Sequence, residues 1–402
     1  MRGRTLRMSL AVLEAAMAAA LAVIMVGCAG SGSTPSTSGG SGSAEPIKIG
    51  AIVSLTGTYA GLGAPEEAAL ELEVKRINDA GGINGRPIEL IIEDDGTDEA
   101  KAVAAASKLI DQEQVVAIIG GTGTGQTMAI RGDVNKAAIP QVSMAGGSVI
   151  TSDFDPLVFQ TPWSNNLVIP FELAYMKKAG ITRLAVISDT GGFGKDGLAV
   201  LEAQTPKAGV QLVSNQTFNV GDTDFAAQLT KVKSSDADAL LIISSGKETA
   251  ALVSQSKQLG LDTPLYGTHG NARMEFVEGA GDAAEGFILP AGKILLPESH
   301  GTDTEAFKVA TGFIEAFTAA SGGDQPSTFA GHAYDAINLI AVAAERLGSD
   351  VTPAGLRDEI EKTSGFVGIG GTFTFSPTDH NGLTEADLNM YQVKSGAWTI
   401  AP

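Results

Sequence analysis

From Pro46 onward, short apolar runs alternate with amphipathic stretches. Residues 47–53, 88–93, 115–119 and 139–143 are nearly continuous in apolar residues, as expected of parallel strands buried on both faces. Between them, 65–78 and 98–112 carry apolar residues at helical spacing, the second opened by Asp98 as a cap. The rhythm restarts at 184–188, 211–218 and 239–244, followed by helical patterns at 195–208, 225–234 and 247–259. Such alternation predicts βαβ units around mostly parallel sheets, and its repetition predicts two similar lobes. The C-terminal part is more helical (304–320, 329–347, 353–362) and closes with short strands near Gly371 and Tyr391.

The N-terminal pattern differs. Arg2, Arg4 and Arg7 precede a charge-free apolar run, 15–26, with Glu14 just ahead of it. The run is shorter than the roughly 20 residues a spanning helix needs, but it suits the apolar part of a signal peptide. Cys28, the only cysteine, follows in Met25-Val26-Gly27-Cys28-Ala29-Gly30. That segment resembles a bacterial lipobox, with Met25 in place of the usual Leu, and implies cleavage after residue 27 and lipidation of Cys28. Residues 31–44 are almost all Ser, Gly and Thr, so 28–45 is expected to be a flexible tether. The folded part is thus expected outside the cytoplasm, anchored by lipid.

Composition narrows the function. The 402 residues are 44% hydrophobic and 18% charged, enough for a sizeable core, and the length favours two lobes. With 27 Lys and Arg against 46 Asp and Glu, the net charge of −19 speaks against nucleic acid as a partner. A lone cysteine excludes an internal disulfide and a Cys/His zinc cluster.

In open parallel sheets, ligands bind beyond the carboxyl ends of the strands. That rule selects the loops 54–63, 120–127, 143–148 and 188–194, with 244–247 and 268–271 from the second set. They are rich in Gly, Ser and Thr, which can offer N–H groups and hydroxyls to an anion at helix N-termini. Catalytic signatures fail. The 120–127 loop reads G-x-x-x-x-G-Q-T, with Gln126 where a phosphate-binding loop has lysine. Ser244-Ser245-Gly246-Lys247 matches S-x-x-K without its companion motifs, and is read as a strand-to-helix turn with a serine cap. Among the four histidines, His332 is expected in the core, His300 and His380 in solvent, and His269 in a cleft loop. The acidic runs at 93–95 and at Asp236 and Asp238 are read as solvated turns. No enzyme, metal site or cofactor is expected.

The segment Ala80-Gly81-Gly82-Ile83-Asn84-Gly85-Arg86-Pro87-Ile88, between a helix and a strand ending Glu93-Asp94-Asp95, resembles a turn of the branched-chain amino-acid binding proteins of ABC importers. Residues 50–57, 118–120, 193–197 and 279–286 match in order. The resemblance runs from about residue 47 to the C-terminus. It implies a type I periplasmic-binding fold: two α/β lobes, each a mostly parallel sheet flanked by helices, joined by three crossovers. Lobe one would comprise 46–162 and 292–373, and lobe two 163–291 and 374–402. The implied role is to trap a small ligand by hinge closure, as a monomer, and deliver it to a membrane permease.

By the same resemblance, the ligand carboxylate is held at Thr124, flanked by Thr122 and Gly123, and the Ala145 carbonyl faces the ligand. The family's ammonium-binding Thr falls on Gly147, leaving Ser148 as the nearby hydroxyl. The acidic ammonium partner falls on His269, and a second-lobe tyrosine contact near Ser245. A buried ammonium without a carboxylate partner costs several kcal/mol. The ligand is therefore expected to be an amino acid that finds another acid, or an amine-free carboxylate, such as an aromatic acid, that a protonated His269 could meet. Trp163 and Phe193 are expected to sandwich a planar group. The rival readings are a sensory module of a signalling system and an extracellular hydrolase, for which no nucleophile and base pair can be named.

Overall fold

The computed structural model describes residues 45–402; the expected signal segment, Cys28 and nearly all of the tether lie outside them. The first sheet contains β1 (Ile47–Val53), β2 (Ile88–Asp94), β3 (Ala117–Gly120), β4 (Gln141–Ser143) and β5 (Val158–Gln160). It is wholly parallel, in the order β2-β1-β3-β4-β5. Interleaved with it are α1 (Ala60–Asp79), α2 (Glu99–Lys108), α3 (Thr124–Ala137) and the single turn α4 (Val149–Ser152). Strand β1 alternates faces: Ile47, Ile49, Ala51 and Val53 join the core beneath α1, whereas Ile52 joins the one beneath α2 and α3.

The second sheet begins with β6 (Arg183–Asp189), β7 (Gln211–Phe218), β8 (Ala239–Ile243), β9 (Leu265–Gly267) and β10 (Ile288–Gly292), all parallel. Its helices are α5 (Asn165–Lys178), α6 (Gly192–Ala208), α7 (Ala226–Lys233), α8 (Glu248–Gln258) and α9 (Met274–Ala280). Leu240 and Ile242 of β8 face one core, and Ala239, Leu241 and Ile243 the other. The chain then forms α10 (Glu305–Ser321), α11 (Thr328–Leu347) and α12 (Pro353–Glu361), which pack into the core of the first sheet. A ribbon follows, β11 (Ser364–Val367) with β12 (Thr372–Thr374). Antiparallel β13 (Leu388–Lys394) and β14 (Ala397–Ile400) extend the second sheet to the order β14-β13-β10-β9-β8-β6-β7.

Several local expectations change. Helix α1 starts five residues before Pro65, because Leu62 and Tyr59 pack against Phe329 of α11 and hold the extra turn. Asp98 caps α2 as expected, its side chain accepting from Lys101 N at 2.9 Å. The serine cap at 244–247 does not form; α8 begins after Lys247 with no side-chain cap. His380 is fully buried rather than solvated: its ring stacks on Phe159 at 4.0 Å and contacts the Val158 carbonyl and Glu361. Asp95 is likewise buried, accepting from the Ser54 hydroxyl at 2.6 Å.

Pins between distant segments fix the strand-to-helix crossing near residue 162. Asn381 Nδ2 donates to the Pro162 carbonyl (2.7 Å), and Trp163 Nε1 to the Gly370 carbonyl (2.9 Å). Asp335 of α11 accepts from Ile369 N (2.6 Å) and Gly370 N (2.7 Å), and burial pushes its carboxyl up to about 8.

Candidate ligand-binding site

In each sheet the strand order reverses once, between β1 and β3 and between β6 and β8. A doubly wound sheet leaves a crevice at such a point, beyond the carboxyl ends of the strands. The loops there carry the N-termini of α3, α6 and α8, and they meet across a closed seam. Gly192 packs against Gly125, and a Cβ on Gly146 would overlap the His269 ring.

Within the seam lies a cavity of about 20 Å³, room for little more than a water molecule. All six loops selected from the sequence reach it. Of the residues expected to hold a ligand, Thr122, Gly123, Thr124 and Ala145 line it from one side, and Phe193, Ser245 and His269 from the other. Gly147, Ser148 and Trp163 do not. Gly147 packs behind Thr124. The Ser148 hydroxyl donates to Asp196 Oδ1 at 2.7 Å, and the Trp163 ring is buried, its N–H already used on the Gly370 carbonyl.

The hydroxyls divide the labour. Thr122 Oγ1 donates to Glu66 and accepts from Ser54 N (3.0 Å), so it holds the loop and has no proton left to donate to a carboxylate. Thr124 Oγ1 is buried and has no partner, at the first residue of α3, where unpaired helical N–H groups add a positive end. A buried hydroxyl beside such a terminus is a cradle for a carboxylate. The Ala145 carbonyl accepts from Gln160 Nε2 at 2.8 Å and retains a second lone pair.

A chain of rings runs from Phe193 past the cavity to α11. Phe193 meets His269 edge-on at 5.4 Å, His269 meets Trp163 at 6.4 Å, and Trp163 meets His332 at 5.0 Å. His332, expected in the core, is buried but also lines the cavity, together with Phe329. Burial drives both histidines down to about 3, so each ring is neutral at neutral pH. The expected protonated His269 is therefore not supplied by this closed form: among the described residues, both ring nitrogens are buried without a hydrogen-bond partner.

Among the described residues, no carboxylate lines the cavity. Asp189 stands behind the wall, with Oδ1 accepting from Gly191 N at 2.8 Å and burial raising it to about 6. The sequence reading passed over Arg273. Its guanidinium is buried at 5.8 Å over the Phe329 ring and donates to the Gly270 and Gly246 carbonyls at 2.6 and 3.2 Å. No grouping of metal-ligating side chains occurs among the described residues, and no described helix is long and apolar enough to cross a membrane.

The profile of the periplasmic binding protein family matches residues 46–397. The chain belongs to that family. A "Leucine-, isoleucine-, valine-, threonine-, and alanine-binding protein" of Pseudomonas aeruginosa is 28% identical over 307 residues, 76% of this chain and 79% of the relative. Among solved structures, an extracellular ligand-binding receptor of Rhodopseudomonas palustris superposes with a TM-score of 0.84 at 26% identity, covering 89% of this chain and 99% of the receptor. The branched-chain amino acid transporter substrate binding protein of Streptococcus pneumoniae, solved with isoleucine, gives 0.78 at 28% identity over 88% of this chain and 97% of its own. The two-lobed architecture of this periplasmic binding protein is thus the type I fold that its sequence resembles.

Proposed function

We propose that this chain is the extracytoplasmic, lipid-anchored solute-binding protein of an ABC importer, binding a small carboxylate between its lobes and handing it to a membrane permease. Thr124 carries the reading: a buried, unpartnered hydroxyl on the first residue of α3, within the seam. The carboxylate docks on the lobe built from 46–162 and 292–373, and the lobe built from 163–291 and 374–402 closes over it with Phe193, Ser245 and His269. We read binding as proceeding without chemistry; among the described residues, neither ring nitrogen of His269 holds a hydroxyl. Cys28 is the attachment point, and mass spectrometry of the mature N-terminus tests it.

The relatives' names supply amino acids as the ligand class. One feature of this chain favours an amine-free acid instead. No carboxylate lines the cavity among the described residues, and the ring in the ammonium partner's place is a neutral imidazole. The rings that line the cavity suit an apolar, planar body. Calorimetric titration of Thr124→Ala tests the site. A charge-assisted hydrogen bond is worth about 1.5–3 kcal/mol, so affinity should fall at least tenfold, with Thr124→Ser close to the parent. Equal affinity for the parent and Thr124→Ala would refute the assignment.

A further inference from the structure

Beside the inner cavity lies a second, larger chamber of about 390 Å³, between Thr58, Gly61 and Leu62 on one side and the 221–223, 246–251 and 273–279 segments on the other. That volume is in the range of small-molecule sites, which the inner cavity is not. The two spaces share Leu62 and adjoin through the consecutive residues Ser245 and Gly246. Gly246 lies where the two spaces adjoin, and a Cβ there would overlap Glu248 Oε2 and crowd Thr58 on the chamber side. Arg273 stands at the partition, lining the chamber while its guanidinium overlies Phe329 of the inner cavity.

Arg273 is almost wholly buried, yet it forms no salt bridge among the described residues; two backbone carbonyls accept from it. Burial lowers it only to about 10, so it stays charged at neutral pH. Glu275 and Glu248 act on it only at a distance, without a direct ion pair, so the guanidinium keeps N–H donors that an arriving anion can meet. Glu248, the buried acid of the chamber, has one oxygen occupied by Gly221 N at 2.6 Å. The exposed Lys247 and Glu275 and the half-exposed Asp222 complete the charges, on the rim and open to solvent.

We propose that this chamber is a second ligand subsite, in which Arg273 receives the distal carboxylate of a dicarboxylic acid whose first carboxylate rests at Thr124. The proposal rests on the Thr124 reading and extends it: the cargo is anionic at both ends. The planar fork of Arg273 gives the bidentate geometry that a carboxylate needs.

Calorimetry on the full chain, unfolded and refolded to strip carried-over ligand, tests it with succinate, glutarate and adipate against butyrate, pentanoate and hexanoate. At least one diacid should bind about tenfold or more tighter than its matching monoacid, and Arg273→Gln should collapse that difference. Gly246→Ala, whose Cβ would displace Glu248 and crowd Thr58 in the chamber wall, should reduce that difference too, and circular dichroism checks that both variants fold. Diacids no tighter than monoacids, equal losses for both in Arg273→Gln, or no binding by any of the acids would overturn the second subsite. Thr124→Ala separates the two readings: it should weaken both series alike. Should it weaken neither, the Thr124 cradle fails as well.

Discussion

Asp196 joins the two lobes more directly than any ligand contact. It lies in the first turns of α6, yet its carboxylate accepts from Ser148 N (2.6 Å), the Ser148 hydroxyl (2.7 Å) and Val149 N (3.0 Å), capping α4 from the opposite lobe. A fourth bond, from Asn165 Nδ2 (2.8 Å), stays within its own lobe. Only the first three are lost on opening. Fully buried, charged hydrogen bonds of this kind would give about 1.5–3 kcal/mol each. Asp196 is half exposed, so water replaces part of that, and about 2 kcal/mol for the set is the working figure. Asp196→Ala should therefore lower the closed-to-open ratio roughly 30-fold. Closure follows docking, so the loss should appear as faster ligand release in stopped flow rather than slower capture. Hydrogen exchange gives a readout without ligand: the Ser148 and Val149 amides should exchange faster in the variant, while those of β6 and β8 should not. Unchanged exchange at both amides, with an unchanged release rate, would mean that Asp196 does not hold the lobes together.

Other perturbations follow from the same geometry. Gly146→Ala puts a Cβ into the His269 ring, so it should weaken ligand binding tenfold or more in calorimetry while barely moving the apo melting midpoint. Adding His269→Ala should restore part of the loss; no restoration would break the pairing. His269 has a folded-state value of about 3, below the ordinary 6.5, so the unfolded chain takes up the proton first. Its contribution to stability is intact above pH 6.5 and declines as pH falls from 6.5 towards 3. Relative to His269→Gln, the parent should lose about 2 kcal/mol between pH 8 and pH 5 by chemical denaturation, and parallel curves would contradict the buried neutral ring. Asp335→Ala strips the partner from two backbone N–H groups and should cost about 3 kcal/mol in urea melts; a loss below 1 kcal/mol would show that the 369–370 turn does not depend on it.

Much of this architecture can be read from the residues. Strands 47–53 and 211–218 have the bounds that their patterns predict, and the loops beyond the strand ends converge on the seam. Local signals carried that far: period, glycine clusters and the rule that ligands sit at strand carboxyl ends. What stayed hidden depends on partners far away in the chain. The burial of His380 comes from stacking on Phe159, and His332 reaches the cavity by packing edge-on against Trp163. Three-residue β5 is too short to show a period. Asp196 looks like any acid in a helical first turn until Ser148 meets it across the seam. Arg273 is a single cation in a polar loop; only its enclosure by Phe329 and two carbonyls gives it meaning.

The central claim is that the seam between the lobes captures a carboxylate at Thr124. The most direct test is a thermal-shift panel on refolded parent protein and Thr124→Ala, with aliphatic and aromatic acids beside leucine, isoleucine and valine. A ligand at 100 times its dissociation constant adds about 2.7 kcal/mol, several degrees in the midpoint. The account predicts shifts with amine-free carboxylates that shrink sharply in Thr124→Ala. Shifts with leucine, isoleucine or valine alone would mean that an acid meets the ammonium despite the neutral His269, and shifts that survive Thr124→Ala would contradict the site itself.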